Sequence, residues 1–237
     1  MSNAKILIYD GSFNGFLTTV YRVYDENIEI ADIQKNTLFQ NGLFSDTEMV
    51  FTQMENAKSV WNGIQAKSHI AIRNIYFAFL SEKKGIEIVL YNYIKKLFSP
   101  ADMLSLNFTD DLESRVNQLA KTVGKEKQIM ESSVRFMLTG DAVRLAFIRP
   151  ESDVLPLISR HYRFQFSDKP WLIYDSKRNY GLYYDLKSVG LISLDADAIT
   201  TNSDFSELHL KSLLVRKLHR QPMQKPRTGY FQERTAV

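Results

Sequence analysis

The chain contains no cysteine. That absence excludes a disulfide scaffold, a thiolate zinc site, an iron–sulfur cluster held by this chain and a cysteine nucleophile. It also withdraws any positive sign of export to an oxidising compartment. Long apolar runs are missing too. No stretch of about 18 uninterrupted apolar residues occurs, so no membrane span is expected. Met1 to Tyr9 lacks the basic segment and apolar run of a signal peptide. A soluble, cytoplasmic protein is the expectation. The four histidines, His69, His161, His209 and His219, fall at no metal-ligand spacing. Asp195 and Asp197 lack the glycine and terminal glutamate of a calcium loop. No P-loop and no serine nucleophile elbow is present. No metal and no cofactor is therefore expected. Six prolines and ten glycines form no linker, and there is no repeat or low-complexity segment.

What is there is ordinary globular material. The 237 residues are 44% apolar and 24% charged, enough to bury a core without metals or disulfides. Lys5 to Tyr9 reads as a strand ending at the turn Asp10-Gly11-Ser12, and Phe13, Phe16, Leu17, Val20, Tyr21 and Tyr24 then recur at helical spacing. Residues 28–52 look irregular with short strands. A helical pattern covers 55–82, and another runs from Gly85 to Pro100. Asp110 or Asp111 is a candidate cap for a helix through Val116, Leu119 and Val123. The pattern then turns to strands. Val134–Leu138 and Val143–Ile148 read as one hairpin, Trp171–Tyr174 and Leu182–Tyr184 as a second, and Leu191–Leu194 as a further strand. Asp153–Phe164, with Pro156 in its first turn, and Phe205–Leu218 read as helices. The fold class expected is α+β, with helices packed on a mainly antiparallel sheet built largely from the C-terminal half. A single domain over 1–220 is expected, with a subdivision near 100–133 as the alternative, followed by a basic tail over 221–237.

Net charge is only +3, but its distribution is uneven. Residues 208–237 carry Lys211, Arg216, Lys217, Arg220, Lys225, Arg227 and Arg234 against Glu233 alone. Such an end suits a polyanion or an acidic protein face, or is simply a solvated tail. The second hairpin mixes rings with cations: Tyr174, Lys177, Arg178, Tyr183 and Tyr184. Alternate strand residues share a face, so these groups are candidates for a base-stacking and phosphate-binding surface, and equally for a half-buried hairpin with a charged tip. The turn at Asp10 to Gly15 either holds an anion at a helix N-terminus or is a capped turn, and Asp10 itself would repel the anion. Asp10, Arg135, His161, Asp175 and Asp185 are the candidates for acid–base chemistry. They qualify only if they converge.

Five blocks carry a resemblance. They are Tyr9-Asp10-Gly11-Ser12-Phe13 with Gly15-Phe16-Leu17; Ala78-Phe79-Leu80-Ser81-Glu82 with Gly85 and Glu87; Val134-Arg135-Phe136; Asp153-Val154-Leu155-Pro156-Leu157 with His161; and Trp171 to Asp175 with Lys177-Arg178 and Gly181 to Asp185. Together, over roughly residues 5–187, the chain resembles a bacterial family assigned to DNA metabolism or DNA repair, also carried as a DUF4130-like domain of unknown function. The resemblance implies a DNA context and a radical-SAM partner protein, and it implies no mechanism. In some members the domain is fused to one like uracil-DNA glycosylase. The chain departs from the family's Glu-x-His before the Val-Arg-Phe strand, reading Glu126-Lys127-Gln128 there. The family's C-terminal signature is only faintly echoed by Met223, Pro226, Arg227, Tyr230 and Phe231.

Three functions follow as expectations. The first is a non-catalytic accessory protein of DNA repair or metabolism that binds nucleic acid, a radical-SAM partner, or both. Its nucleic-acid surface would use Lys177, Arg178, Tyr174, Tyr183, Tyr184, Arg216, Lys217 and Arg220. The second is an enzyme acting on damaged or modified nucleic acid. The third is a pure protein-interaction scaffold.

Overall fold

A computed structural model describes residues 4–36, 46–99, 106–139 and 143–193. The chain divides into two compact units, Met1–Gln128 with Glu151–Asp153, and Ile129–Pro150 with Val154–Val237.

The first unit opens as β1 (Lys5–Tyr9), α1 (Phe13–Asp25) and β2 (Ile30–Lys35). Helix α1 carries the chain back along the strand, so β2 joins β1 in parallel. Strand β3 (Thr47–Met49) also joins β1 in parallel, on its other side. The order is β2-β1-β3, which makes β1 central and explains the burial of Leu7, Ile8 and Tyr9. This parallel sheet was not legible in residues 28–52, where the sequence suggested only short strands.

The helices of this unit are α2 (Met54–Lys67), α3 (His69–Leu80), α4 (Ile86–Phe98) and α5 (Leu106–Ser133), whose last turns belong to the second unit. The single pattern expected over 55–82 is two helices. Ser68 adopts extended backbone and its Oγ accepts from the Ala71 N–H at 3.1 Å, capping α3. Helix α5 begins at Leu106, so neither Asp110 nor Asp111 caps it. Phe13 packs edge-on against Tyr76 and Phe79, with both ring centroids 5.0 Å away, and against Trp61. These contacts join α1, α2 and α3 by their apolar stripes.

The second unit holds β4 (Met137–Leu138), β5 (Arg144–Ile148), α6 (Leu155–Gln165), β6 (Trp171–Asp175), β7 (Tyr180–Tyr184) and β8 (Val189–Ile192). Their order is the chain order, β4-β5-β6-β7-β8. The two expected hairpins are present and every neighbouring pair is antiparallel except β5 and β6, which α6 connects as a crossover. The α+β architecture with a mainly antiparallel C-terminal sheet is thus observed. One face of the sheet presents Ala146, Ile148, Trp171, Ile173, Leu182 and Tyr184 to Leu155, Ile158 and Tyr162 of α6. The opposite face carries a second buried cluster of Leu145, Leu172, Tyr174 and Ile192. Among the described residues no helix is long and apolar enough to cross a membrane. The helix expected at Phe205–Leu218 lies outside the described residues.

Buried tyrosines make stability pH-dependent at the alkaline end. Burial raises the Tyr162 and Tyr93 phenols to about 12, with nearby Glu131 and Glu113 adding repulsion to the phenolate. Tyr9 is raised further by burial and by Glu87, whose Oε1 accepts its hydroxyl at 2.9 Å. A raised phenol favours the protonated folded state. Its contribution is complete below the ordinary value of about 10 and is lost as pH rises from there through about 12. Urea midpoints measured between pH 8 and pH 12 should hold steady to about 9.5 and then fall, with phenolate absorbance appearing in step with unfolding.

Candidate nucleic-acid interface

The β6–β7 hairpin places its residues by strand alternation. Tyr174 turns to the face with Leu145, Leu172 and Ile192, whereas Tyr184 turns to the face with Trp171, at 5.6 Å between ring centroids. Both rings are buried. Because each face of this central hairpin is covered, a shared face does not mean an exposed one, and neither ring can receive a base. Tyr183 is half-buried against the Tyr174 cluster.

The hairpin tip is also not the free cationic tip the sequence suggested. Arg178 is tucked in: its Nη1 donates to Asp175 Oδ2 at 2.7 Å and to the Pro150 carbonyl at 3.1 Å. Asp175 is fully buried, and its Oδ1 accepts from the Lys177 N–H at 2.8 Å. The pair fastens the tip to the loop after β5, where Ser176 N–H also donates to the Ile148 carbonyl. Lys177 stays exposed. Arg216, Lys217 and Arg220 lie outside the described residues.

The acid–base candidates have local structural duties. Asp10 follows β1, and its carboxylate accepts from Ser12 N–H, Ser12 Oγ and Thr52 Oγ1. Burial raises its pKa, but these hydrogen bonds outweigh that and hold it below the usual carboxylate value. Ser12 Oγ accepts from Gly15 N–H, so this turn caps α1. Gly15 is required there, since a Cβ would stand 2.2 Å from Asp10 Oδ1. Asp185 closes the β7–β8 turn by accepting from Lys187 and Ser188 N–H. Slight burial raises its pKa, and the backbone donors more than reverse this. Arg135 is exposed ahead of β4, and half-buried His161 on α6 lies edge-on to Tyr162. Among the described residues no hydrogen bond or ion pair joins Arg135, His161, Asp175 and Asp185 to one another, and no group of three carboxylates or histidines is placed to hold a metal.

Two features escaped the sequence reading. Glu126, retained from the Glu-x-His pattern, accepts from the Glu151 N–H at 2.5 Å and the Ser152 N–H at 2.9 Å, clamping the segment that leads into α6. The other is the outer face of α6. Leu155, Ile158 and Tyr162 point inward, and Arg160, Arg163 and Phe164 stand on the opposite side. Phe164 is 70% exposed, with the Arg160 guanidinium 5.5 Å from its ring centroid. Arg163 Nη2 donates to the Lys187 carbonyl at 3.4 Å, which puts the exposed Lys187 beside it. The available signal was a phenylalanine out of phase with its helix's apolar stripe.

Net positive charge is concentrated in this unit. Its described residues carry Arg135, Arg144, Arg149, Arg160, Arg163, Lys169, Lys177, Arg178 and Lys187 against Glu131, Asp168, Asp175 and Asp185. Most of the cations are exposed, and the carboxylate of Asp175 is not.

The family model described as a domain of unknown function (DUF4130) matches residues 84–233. The match takes in α4, α5 and the whole described part of the second unit, and it leaves the parallel sheet outside. No curated protein matches the chain.

Proposed function

We propose, for a chain that belongs to the DUF4130 family of unknown function, a non-catalytic accessory role in DNA metabolism or repair, with nucleic acid bound by the C-terminal unit. The observation that carries this reading is the excess of exposed cations in that unit, gathered in part on α6 and the β7–β8 turn. Lys and Arg heads that neutralise phosphates release condensed counterions, so binding of this kind is strongest at low salt and weakens steeply as salt rises. The family resemblance adds a radical-SAM protein as the proposed partner. An enzymatic reading finds less support, because Asp175 and Asp185 are engaged by Arg178 and by backbone donors.

Titration of labelled single-stranded, duplex and abasic-site DNA with the full chain tests the reading. Log affinity should fall linearly with log salt. The combined Arg160→Ala, Arg163→Ala and Lys187→Ala substitutions should flatten that slope by roughly 0.7 to 0.9 for each phosphate the protein no longer neutralises. Absence of binding to every form at low salt would refute it. If a radical-SAM protein co-purifies, survival of the complex after nuclease treatment points to direct scaffolding, and its loss points to a DNA bridge.

A further inference from the structure

Resting on that reading, we infer that the outer face of α6 takes an unpaired base, stacked on Phe164, so that the preferred ligand is a single-stranded segment of nucleic acid. Phe164 stands on the side of the helix opposite the core, 70% exposed, where packing gives no reason for a phenyl ring. Water solvates such a ring poorly, and a base face is the flat, polarisable partner that suits it. Arg160 lies 5.5 Å from the ring centroid, so its guanidinium can cover one edge of a stacked base or meet the adjoining phosphate. Arg163, one position earlier on the helix, and Lys187 in the β7–β8 turn, whose carbonyl accepts from Arg163 Nη2 at 3.4 Å, add exposed positive charge on the flank of α6 for a neighbouring phosphate. Asp185, two residues before Lys187, is held in the turn by the Lys187 and Ser188 N–H groups.

The position on the helix argues against duplex reading. A helix that enters a major groove contacts base edges with its N-terminal residues, where the dipole also favours phosphate. Here the first turn holds Leu155, Pro156 and Leu157, while the ring and cations sit in the C-terminal half. In a duplex the base faces are stacked on one another and closed to Phe164, whereas in a single strand they are open.

The test uses the full chain with three probes of equal length: oligothymidylate, an oligomer of abasic sites with the same phosphates, and a duplex. Wild type should bind oligothymidylate best. Phe164→Ala should weaken that binding about five- to 150-fold, the equivalent of 1–3 kcal/mol for one stacked base, and leave the abasic oligomer unchanged. Phe164→Trp should retain the preference. Because Phe164 is exposed, the alanine variant should keep wild-type stability, which a urea midpoint verifies. Equal binding of oligothymidylate by wild type and Phe164→Ala, or a duplex bound as tightly as the single strand, overturns the stacking inference and spares the charge reading. Failure of all three probes at low salt overturns both.

Discussion

Replacing Arg178 by alanine is expected to destabilise the C-terminal unit by about 3–5 kcal/mol. The guanidinium side chain is only 9% exposed and Asp175 is 0% exposed, at 2.7 Å between Nη1 and Oδ2. Two charges removed from water depend on each other. Once Arg178 is truncated, Asp175 is left buried, with the Lys177 N–H and a weaker contact from the residue-178 N–H as its remaining donors among the described residues. Deleting Arg178 also frees the Pro150 carbonyl, so the loop after β5 loses a donor. Urea unfolding of Arg178→Ala beside Lys177→Ala provides the measurement. Lys177→Ala, at an exposed position, should stay within about 0.5 kcal/mol of wild type. A joint replacement of Asp175 and Arg178 by leucine and methionine should recover only part of the loss, because it removes the unpaired buried charge but leaves the Lys177 N–H and the Pro150 carbonyl without their partners. A loss below about 1 kcal/mol for Arg178→Ala would show that the pair contributes little. The consequence for function is direct. A substitution at Arg178 alters folding and cannot serve as a clean probe of nucleic-acid binding, whereas Arg160 and Phe164 can.

Trp171→Ala should cost a similar amount, about 3–5 kcal/mol. The ring is fully buried on the central strand β6, in contact with Tyr162 and Tyr184, and the cavity left behind would sit between sheet and α6. Trp171→Phe should be much milder. Among the described residues the indole Nε1 has no hydrogen-bond partner, so phenylalanine keeps most of the apolar contact and removes a buried donor that is unpaired there. Thermal or urea unfolding of the two variants separates the effects. If phenylalanine proves as damaging as alanine, the shape of the indole matters more than its unpaired N–H.

The β6–β7 hairpin also shows why an exposed surface of rings and cations was expected where the fold buries the rings. Periodicity of two correctly put Tyr174, Tyr184 and their neighbours on strands, whereas the turn expected over Asp175–Gly181 is confined to 176–179, with Asp175, Tyr180 and Gly181 paired in the strands. It could not say that both faces of β6 and β7 are covered, because that depends on α6 arriving on one side and a second apolar cluster forming on the other. Likewise, Lys177 and Arg178 are adjacent cations of one turn. Whether each faces solvent or a buried carboxylate depends on where Asp175 and Pro150 meet after folding.

The opening strand, the helix that follows its turn, both C-terminal hairpins, the α+β class and the absence of thiol chemistry were determined by sequence alone. Each rests on local forces: side-chain periodicity, capping, turn preference and residue chemistry act over a few neighbouring positions. Tertiary structure alone decided that β2 and β3 flank β1 in parallel, that Ser68 divides a continuous helical pattern, that Glu126 grips the 151–152 backbone, and that Tyr174 and Tyr184 are buried while Phe164 faces solvent. Those outcomes turn on contacts between residues far apart in the chain. Burial is a property of what packs against a side chain, and no local pattern carries it.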